Sequence, residues 1–284
     1  MGDRSKAARQ APIGHRSLTL AEARKESMGG LAKGLEVLVA FGRDAPELTL
    51  SEIAEMTGLP PATARRCLLT LQDLGYVGQN KRLFFLTPKV LELSAAFLEA
   101  LDIERIVLPH LTALANETGD AAAFTVLQGR DIVYLARASA RMLMRLEAHV
   151  GSRFPAFCTA NGRVLLAGRS DAQIDAYLEG PLPALTELTV TDPARLKAEI
   201  LAVRAQGYAV VEDELAYGVV SLSVPLVDAT GKVVAALNSS GHSKRIDKAH
   251  MVAERLDIVR RHADAISAEL KHVPQISRML TDEP

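Results

Sequence analysis

LTLSEIAEMTGLPPATARRCLLTLQDLGYV, residues 48–77, lays out two short helices and the turn that joins them. Thr49 and Glu52 stand in T-x-x-E order. In such a capping box the Thr hydroxyl accepts from a free helix N–H, and the acid accepts from the N–H of the cap residue. Ile53, Ala54 and Met56 supply an apolar face to the first helix, and Gly58 suits the left-handed residue that ends it. Pro60 or Pro61 suits the first turn of the second helix, where a missing N–H costs nothing. Ala64, Cys67, Leu68, Leu71 and Leu74 then recur at helical spacing as a buried stripe, closed by Gly75. Two short helices around a Gly-containing turn predict a helix-turn-helix over about residues 50–74.

The flanks extend this unit. Upstream, Leu31, Leu35, Leu38 and Val39 recur at helical spacing before Gly42, which predicts a first helix. Residues 1–27 are polar, mixed in charge and without periodicity, and are expected to form a mobile tail. Downstream, residues 76–77 and 83–86 read as two strands around residues 78–82. That is a hairpin with Lys81 and Arg82 near its tip, the shape of a wing. Residues 28–88 are therefore expected to form a winged helix-turn-helix, and residues 89–101, rich in Leu and Ala, a linker helix after Pro88.

Residues 102–272 alternate helices and strands. Residues 103–118, 158–168, 172–178, 193–206 and 247–271 read as helices. Residues 121–127, 132–138, 143–149, 208–211, 219–227 and 233–239 read as strands, several paired through short turns. Strands gathered in hairpins with helices before and after predict an α+β domain, followed by a tail over residues 273–284.

Composition bounds the function. The 284 residues include 48% hydrophobic and 24% charged side chains, an ordinary globular balance, and no Trp. Cys67 and Cys158 form no C-x-x-C pair, which excludes a zinc ribbon or dithiol motif. The charged N-terminus lacks a following apolar segment, and no apolar run reaches bilayer length, so a cytoplasmic protein without membrane contact is expected. Net charge is −1, yet residues 1–89 carry 13 Lys+Arg against 9 Asp+Glu, while the remainder carries 20 against 25. A cationic front joined to an anionic back fits a phosphate-binding module attached to another domain.

Within the second helix, Ala62, Thr63, Arg65 and Arg66 occupy the positions that meet base edges and phosphates in a major groove. Which arginine reads a base is open, as is the plainer reading of two solvated cations. Lys81 and Arg82 suit phosphate or minor-groove contact, or simply the solubility of a turn, and Lys33 is a weaker candidate. In the second domain Asn238 and Ser240 alternate along an otherwise apolar strand and so share one face. Arg137, Arg145 and Arg153 could pair with an acidic ligand or form surface ion pairs.

The blocks GLAKGLEVLVAFG, LTLSEIAEMTGLPPATARRCLLTLQDLGYV, PAFCTANGRVLLAG and GYAVVEDELAYGVVSLSVPLVDATGKVVAALNSSGHS, in this order, resemble the IclR-type bacterial transcription regulators. AKGLEVL, PAFCTANGRVLLA and GYAVVEDELAYG look closest to the branch that regulates aromatic-acid breakdown, including protocatechuate and 4-hydroxybenzoate pathways. The resemblance implies a winged-helix domain, a linker helix and a GAF-like effector domain. It also implies a homodimer or homotetramer on a pseudo-palindromic double-stranded DNA operator, and a small carboxylic acid as effector. It places that effector beside Ser221, Asn238 and Ser240 and against the Thr159-Ala160-Asn161 turn, where free helix N–H groups would favour a carboxylate. Related chains with other effectors carry an acid near Val211, which is apolar here.

Two rival classes remain at this point. An enzyme on the second domain lacks support: the chain holds no HExxH, P-loop, GxGxxG or GxSxG, its seven His lack ligand-like spacing, and no cofactor or metal is expected. The other rival is a helix-turn-helix used only for assembly.

Overall fold

A computed structural model describes residues 28–42, 45–100, 102–139, 148–272 and 278–280. The chain divides into two compact units, Met1–Ala96 and Phe97–Pro284.

The first unit runs α1 (Gly29–Val39), β1 (Glu47–Thr49), α2 (Leu50–Thr57), α3 (Pro61–Asp73), β2 (Val77–Asn80) and β3 (Leu83–Leu86). A 3-10 turn, Pro88–Val90, leads into α4 (Leu91–Ala100). The capping box forms as expected: Thr49 accepts from Glu52 N, and the Glu52 carboxylate accepts from Thr49 N at 2.8 Å. Gly58 ends α2 at φ +66°, and Pro61 opens α3. β1 escaped the sequence reading because three residues are too few to show alternation. It pairs with β3 and ends at Thr49, the residue that also caps α2.

Three apolar assignments are corrected. In α1 the fully buried residue is Val37, while Leu31, Leu35 and Val39 are 62, 51 and 56% exposed. The row with the clearest spacing is thus the outer face. Met56 and Leu74 are also exposed: Met56 lies off the Ile53–Ala54 side of α2, and Leu74 is already the C-cap of α3. The second wing strand has the expected bounds, but the first runs on to Asn80, so only Lys81 and Arg82 lie between them, with Lys81 at φ +55°. Gly78 leaves room for the Phe85 ring, which an added Cβ would meet at 2.5 Å and have to displace.

The second unit runs α5 (Ile103–Ile106), α6 (Leu108–Thr118), β4 (Ala121–Gln128), β5 (Asp131–Ser139) and β6 (Arg153–Pro155). It continues through α7 (Ala160–Ala167), α8 (Asp171–Leu178), α9 (Pro193–Gln206), β7 (Ala209–Glu212), β8 (Val219–Val227), β9 (Val233–His242) and α10 (Lys248–Leu270). The six strands form one antiparallel sheet in the order β6-β5-β4-β9-β8-β7. Of the strand expected over residues 143–149, residues 143–147 lie outside the described residues, and His149 belongs to no strand. β6, which the sequence reading did not anticipate, pairs with β5. The helix expected over residues 158–168 begins at Ala160, after a 3-10 turn over Ala156–Cys158.

The alternation of the strands sends side chains to two cores. Leu222, Val224, Leu226 and Leu237 pack with Leu111 and Leu114 of α6 and Val259 of α10. Ile132, Tyr134 and Ala236 face the opposite way, onto Leu166 of α7, Ile174 of α8 and Leu196 of α9. Ser221, Asn238 and Ser240 share that second face, under α7. No helix among the described residues is long and apolar enough to cross a membrane.

Candidate DNA-reading helix and effector pocket

On α3, Ala64, Leu68 and Leu71 are buried. At 3.6 residues per turn this stripe turns Ala62, Arg66 and Leu69 directly outward and leaves Arg65 about a quarter turn aside. Ala62, Arg65 and Arg66 are exposed and Thr63 is half-buried. Gln72 Nε2 donates to Gln79 Oε1 at 3.2 Å, joining α3 to the wing, and Gln79 Nε2 donates to Lys81 O at 2.8 Å at the turn. Lys81 and Arg82 extend from that turn into solvent. Lys89 is engaged: its Nζ donates to Leu74 O at 3.0 Å and sits over the Tyr76 ring. The α3 side chains and the wing cations are thus offered by a scaffold tied together at both ends of the helix–wing junction.

The second unit holds a pocket between the sheet and the start of α7. Thr159 is the N-cap: its Oγ accepts from Gly162 N at 3.1 Å, and its carbonyl accepts from Arg163 N. That leaves the N–H groups of Ala160 and Asn161 without an intrahelical acceptor. Gly162 lets the helix seat against the preceding turn, since an added Cβ would lie 2.0 Å from Ala156 O. Across the pocket, Asn238 Nδ2 donates to Ser221 Oγ at 2.9 Å and to Ser240 Oγ at 2.8 Å, and the two serine hydroxyls are 2.9 Å apart. Ser221 and Ser240 are direct partners in the β8–β9 register.

The six residues among which the resemblance places the effector therefore line one cavity, with about 370 Å³ of empty space when its open mouth is counted. Ile132, Tyr134, Val211, Leu215 and Val219 give it apolar walls. Burial pushes the Tyr134 hydroxyl up to about 12. Cys158 also lines it; burial, with Glu214 nearby, pushes that thiol up to about 12, which makes it an inert wall rather than a nucleophile. Asn161 is 1% exposed, and neither polar atom of its side-chain amide has a partner among the described residues. The Oδ1 of Asn238 is likewise buried and unpartnered.

Matches to known proteins bear on both halves. Residues 30–81 match the IclR helix-turn-helix domain, and residues 95–268 match the bacterial transcriptional regulator IclR C-terminal domain. The chain belongs to the IclR family. The Pca regulon regulatory protein of Pseudomonas putida is 41% identical over 82% of this chain and 80% of its own length. The p-hydroxybenzoate hydroxylase transcriptional activator of Acinetobacter baylyi is 32% identical over 85% and 92%. An IclR homologue from Microbacterium hydrocarbonoxydans, solved in complex with 4-hydroxybenzoate, superposes at a TM-score of 0.74. It is 25% identical, over 86% of this chain and 99% of its own. This IclR chain is a DNA-binding transcription regulator and not an enzyme, and its sequence falls with the aromatic-catabolism regulators.

Sequence reasoning missed a buried ion pair at this IclR pocket: Glu214 lines the cavity, and Arg163, outside the lining, holds Glu214. Arg163 and Glu214 are both buried, with Arg163 Nη2 2.6 Å from Glu214 Oε2 and Nη1 2.9 Å from Glu199. Arg163 also donates to Phe157 O, and Glu214 accepts from Val190 N. The pair ties α7, α9 and the β7–β8 loop together around the cavity. Their separation of 51 positions left no local pattern to read. Arg153 is not a pocket residue: it pairs with Asp131 at 3.3 Å and bonds Gln128 at the sheet edge. Arg137 is half-buried on β5 and does not line the pocket, and Arg145 lies outside the described residues.

Proposed function

We propose that this IclR-family regulator acts in the cytoplasm as a homodimer or homotetramer on a pseudo-palindromic operator, and that a hydroxylated aromatic acid in the α7 pocket modulates it. The observation that carries the effector reading is a concentration of unsatisfied polar atoms. Four buried side-chain atoms lack a partner among the described residues: Thr125 Oγ1, both amide atoms of Asn161, and Asn238 Oδ1. Three of them belong to pocket residues. Each such atom costs about 1–3 kcal/mol when left unpaired, which a polar ligand offsets.

Their chemistry gives the ligand an orientation. The N–H groups of Ala160 and Asn161 and the Asn161 amide donate to a carboxylate, at the positive end of α7. The Asn238 Oδ1 accepts from a hydroxyl, because both hydrogens of its Nδ2 are already given to Ser221 and Ser240. The walls between these groups are apolar, which suits the ring of an aromatic acid. The 4-hydroxybenzoate complex of the Microbacterium homologue supports this ligand class.

On the DNA side, Ala62, Thr63, Arg65 and Arg66 enter the major groove, and Lys81 and Arg82 contact backbone or minor groove. One short helix reads only a few base pairs, so two-fold pairing supplies the rest of the site. The exposed row Leu31, Leu35 and Val39 on α1, with Leu91 and Leu93 on α4, offers apolar surface for that pairing.

Calorimetry with 4-hydroxybenzoate, followed by operator binding with and without it, tests the pocket. Asn238→Leu is expected to abolish the response while leaving basal operator affinity unchanged. A full response in that variant would place the effector elsewhere.

A further inference from the structure

On the opposite face of the sheet from the pocket, two imidazoles meet. His110 of α6 and His262 of α10 are 152 positions apart in the chain, yet their Nδ1 atoms are 3.3 Å apart. The rings lie 5.6 Å between centroids at 68°. His262 is buried and His110 half-buried. Each far nitrogen faces a carboxylate: His262 Nε2 is 3.2 Å from Glu117 Oε1, and His110 Nε2 is 3.8 Å from Glu269 Oε1. Both carboxylates are held from outside, Glu117 by Arg261 and Glu269 by Arg105 at 3.6 Å.

An ionised carboxylate only accepts hydrogen bonds, so Glu117, at 3.2 Å, holds His262 as the Nε2–H tautomer, and the Nδ1 of His262 turns a lone pair toward His110. Glu269, at 3.8 Å, is beyond hydrogen-bond reach and leaves His110 either to donate from its Nδ1 or to present a second lone pair there. In the second state the gap between the rings takes an electrophile. The separation suits a metal: two nitrogens bound at about 2.0–2.1 Å to a tetrahedral ion stand about 3.3 Å apart. Glu117 behind His262 has the placement that fixes tautomer and orientation in imidazole–metal sites.

We propose that His110 and His262 bind a transition-metal ion of the imidazole-preferring class, such as Zn²⁺, Cu²⁺ or Ni²⁺, through their Nδ1 atoms, with solvent completing the coordination. Among the described residues no group of three or more His, Cys, Asp or Glu is placed to hold a metal ion. The site is therefore a two-imidazole one, open and exchangeable. It staples α6 to α10 in the layer that begins directly after the linker helix.

The test is titration of tag-free, chelator-treated full-length protein with ZnCl₂ by calorimetry, with MgCl₂ as the control cation. Saturable uptake of one Zn²⁺ per chain is expected, with no Mg²⁺ uptake. His110→Ala and His262→Ala should each weaken it at least about tenfold, and Glu117→Gln by about 10- to 100-fold. His110 is half-buried, so its variant should fold even if His262→Ala does not; circular dichroism checks this. Absence of Zn²⁺ uptake would mean that a shared proton occupies the gap, and would overturn the proposal. So would uptake unchanged in His110→Ala, which would put the ion at another site.

Discussion

Arg65 and Arg66 are adjacent in the chain but not equivalent on the helix. Arg66 shares the outward face of α3 with Ala62 and Leu69, directly opposite the buried stripe, whereas Arg65 points to its flank. Arg66→Ala is therefore expected to cost about 1–3 kcal/mol in operator affinity and to relax base preference at one position of each half-site. Arg65→Ala should weaken binding more evenly across sequences. Fluorescence anisotropy on operator and scrambled duplexes separates the two, and equal loss on both duplexes for Arg66→Ala would remove it from base reading. A second residue-level expectation concerns the thiols. Cys158 is fully buried and its thiol is pushed up to about 12, so iodoacetamide at pH 8 should leave it unmodified in the folded chain and alkylate it in urea. Rapid native modification would contradict the burial. The pairing of Asn238 with Ser240 was legible from strand alternation alone. Ser221 and Thr159–Asn161 came from family resemblance, because no local period links positions so far apart. The orphaned Asn161 amide could not be read from sequence at all, since satisfaction of a polar group is a property of its surroundings.

Punctuation made the short elements legible, and apolar spacing misled where a helix has two apolar faces. The capping box, the left-handed Gly58 and the opening Pro61 fixed α2 and α3 closely. α1 was located correctly, but its conspicuous Leu31–Leu35–Val39 row proved to be the exposed side. Spacing tells that a helix has an apolar stripe, not what covers it. The capping box carries its own prediction. Thr49→Ala should destabilise the first unit by about 0.5–2 kcal/mol, because a helix N–H loses its acceptor. Hydrogen bonds from the Thr49 backbone and side chain hold the Glu52 carboxyl below its ordinary value. The contribution of a group lowered in the folded state is complete above its unfolded value and is lost as pH falls through the folded one. Urea titrations should therefore show the wild type's advantage over Thr49→Ala at pH 7, and show it narrowing as pH drops below about 4.5. An advantage that grows with acid would refute the box.

The apolar surface of the first unit sets the expectation for assembly. Leu31, Leu35 and Val39, with Leu91 and Leu93 on the linker helix, expose more aliphatic surface than scattered single residues do. Leu35→Glu and Leu91→Glu together should shift the protein toward smaller species in sedimentation velocity and weaken operator binding more than binding of a single half-site. An unchanged sedimentation coefficient would place the self-association surface elsewhere. The division of the chain into a DNA-reading unit and a sensing unit could be anticipated from the switch between motif-rich and strand-rich sequence and from the reversal of charge. The order of the six strands could not, because antiparallel pairing leaves the same alternating pattern whichever neighbours a strand acquires.

That strand order has a consequence for how the chain comes into being. β4, the first strand of the sheet, lies against β9, the last, with Ala123 opposite Asn238. On the ribosome β4 must wait until roughly 115 further residues have been synthesised before its inner edge finds a partner, and such distant closure is slow. The helix-turn-helix unit has all its parts by Leu86 and faces no such delay. Nascent chains thus pass through an interval in which the operator-reading surface is finished while the sensing surface is still an open sheet. Responsiveness to a ligand is therefore the last property the chain acquires as it is made, later than the fold of its helix-turn-helix.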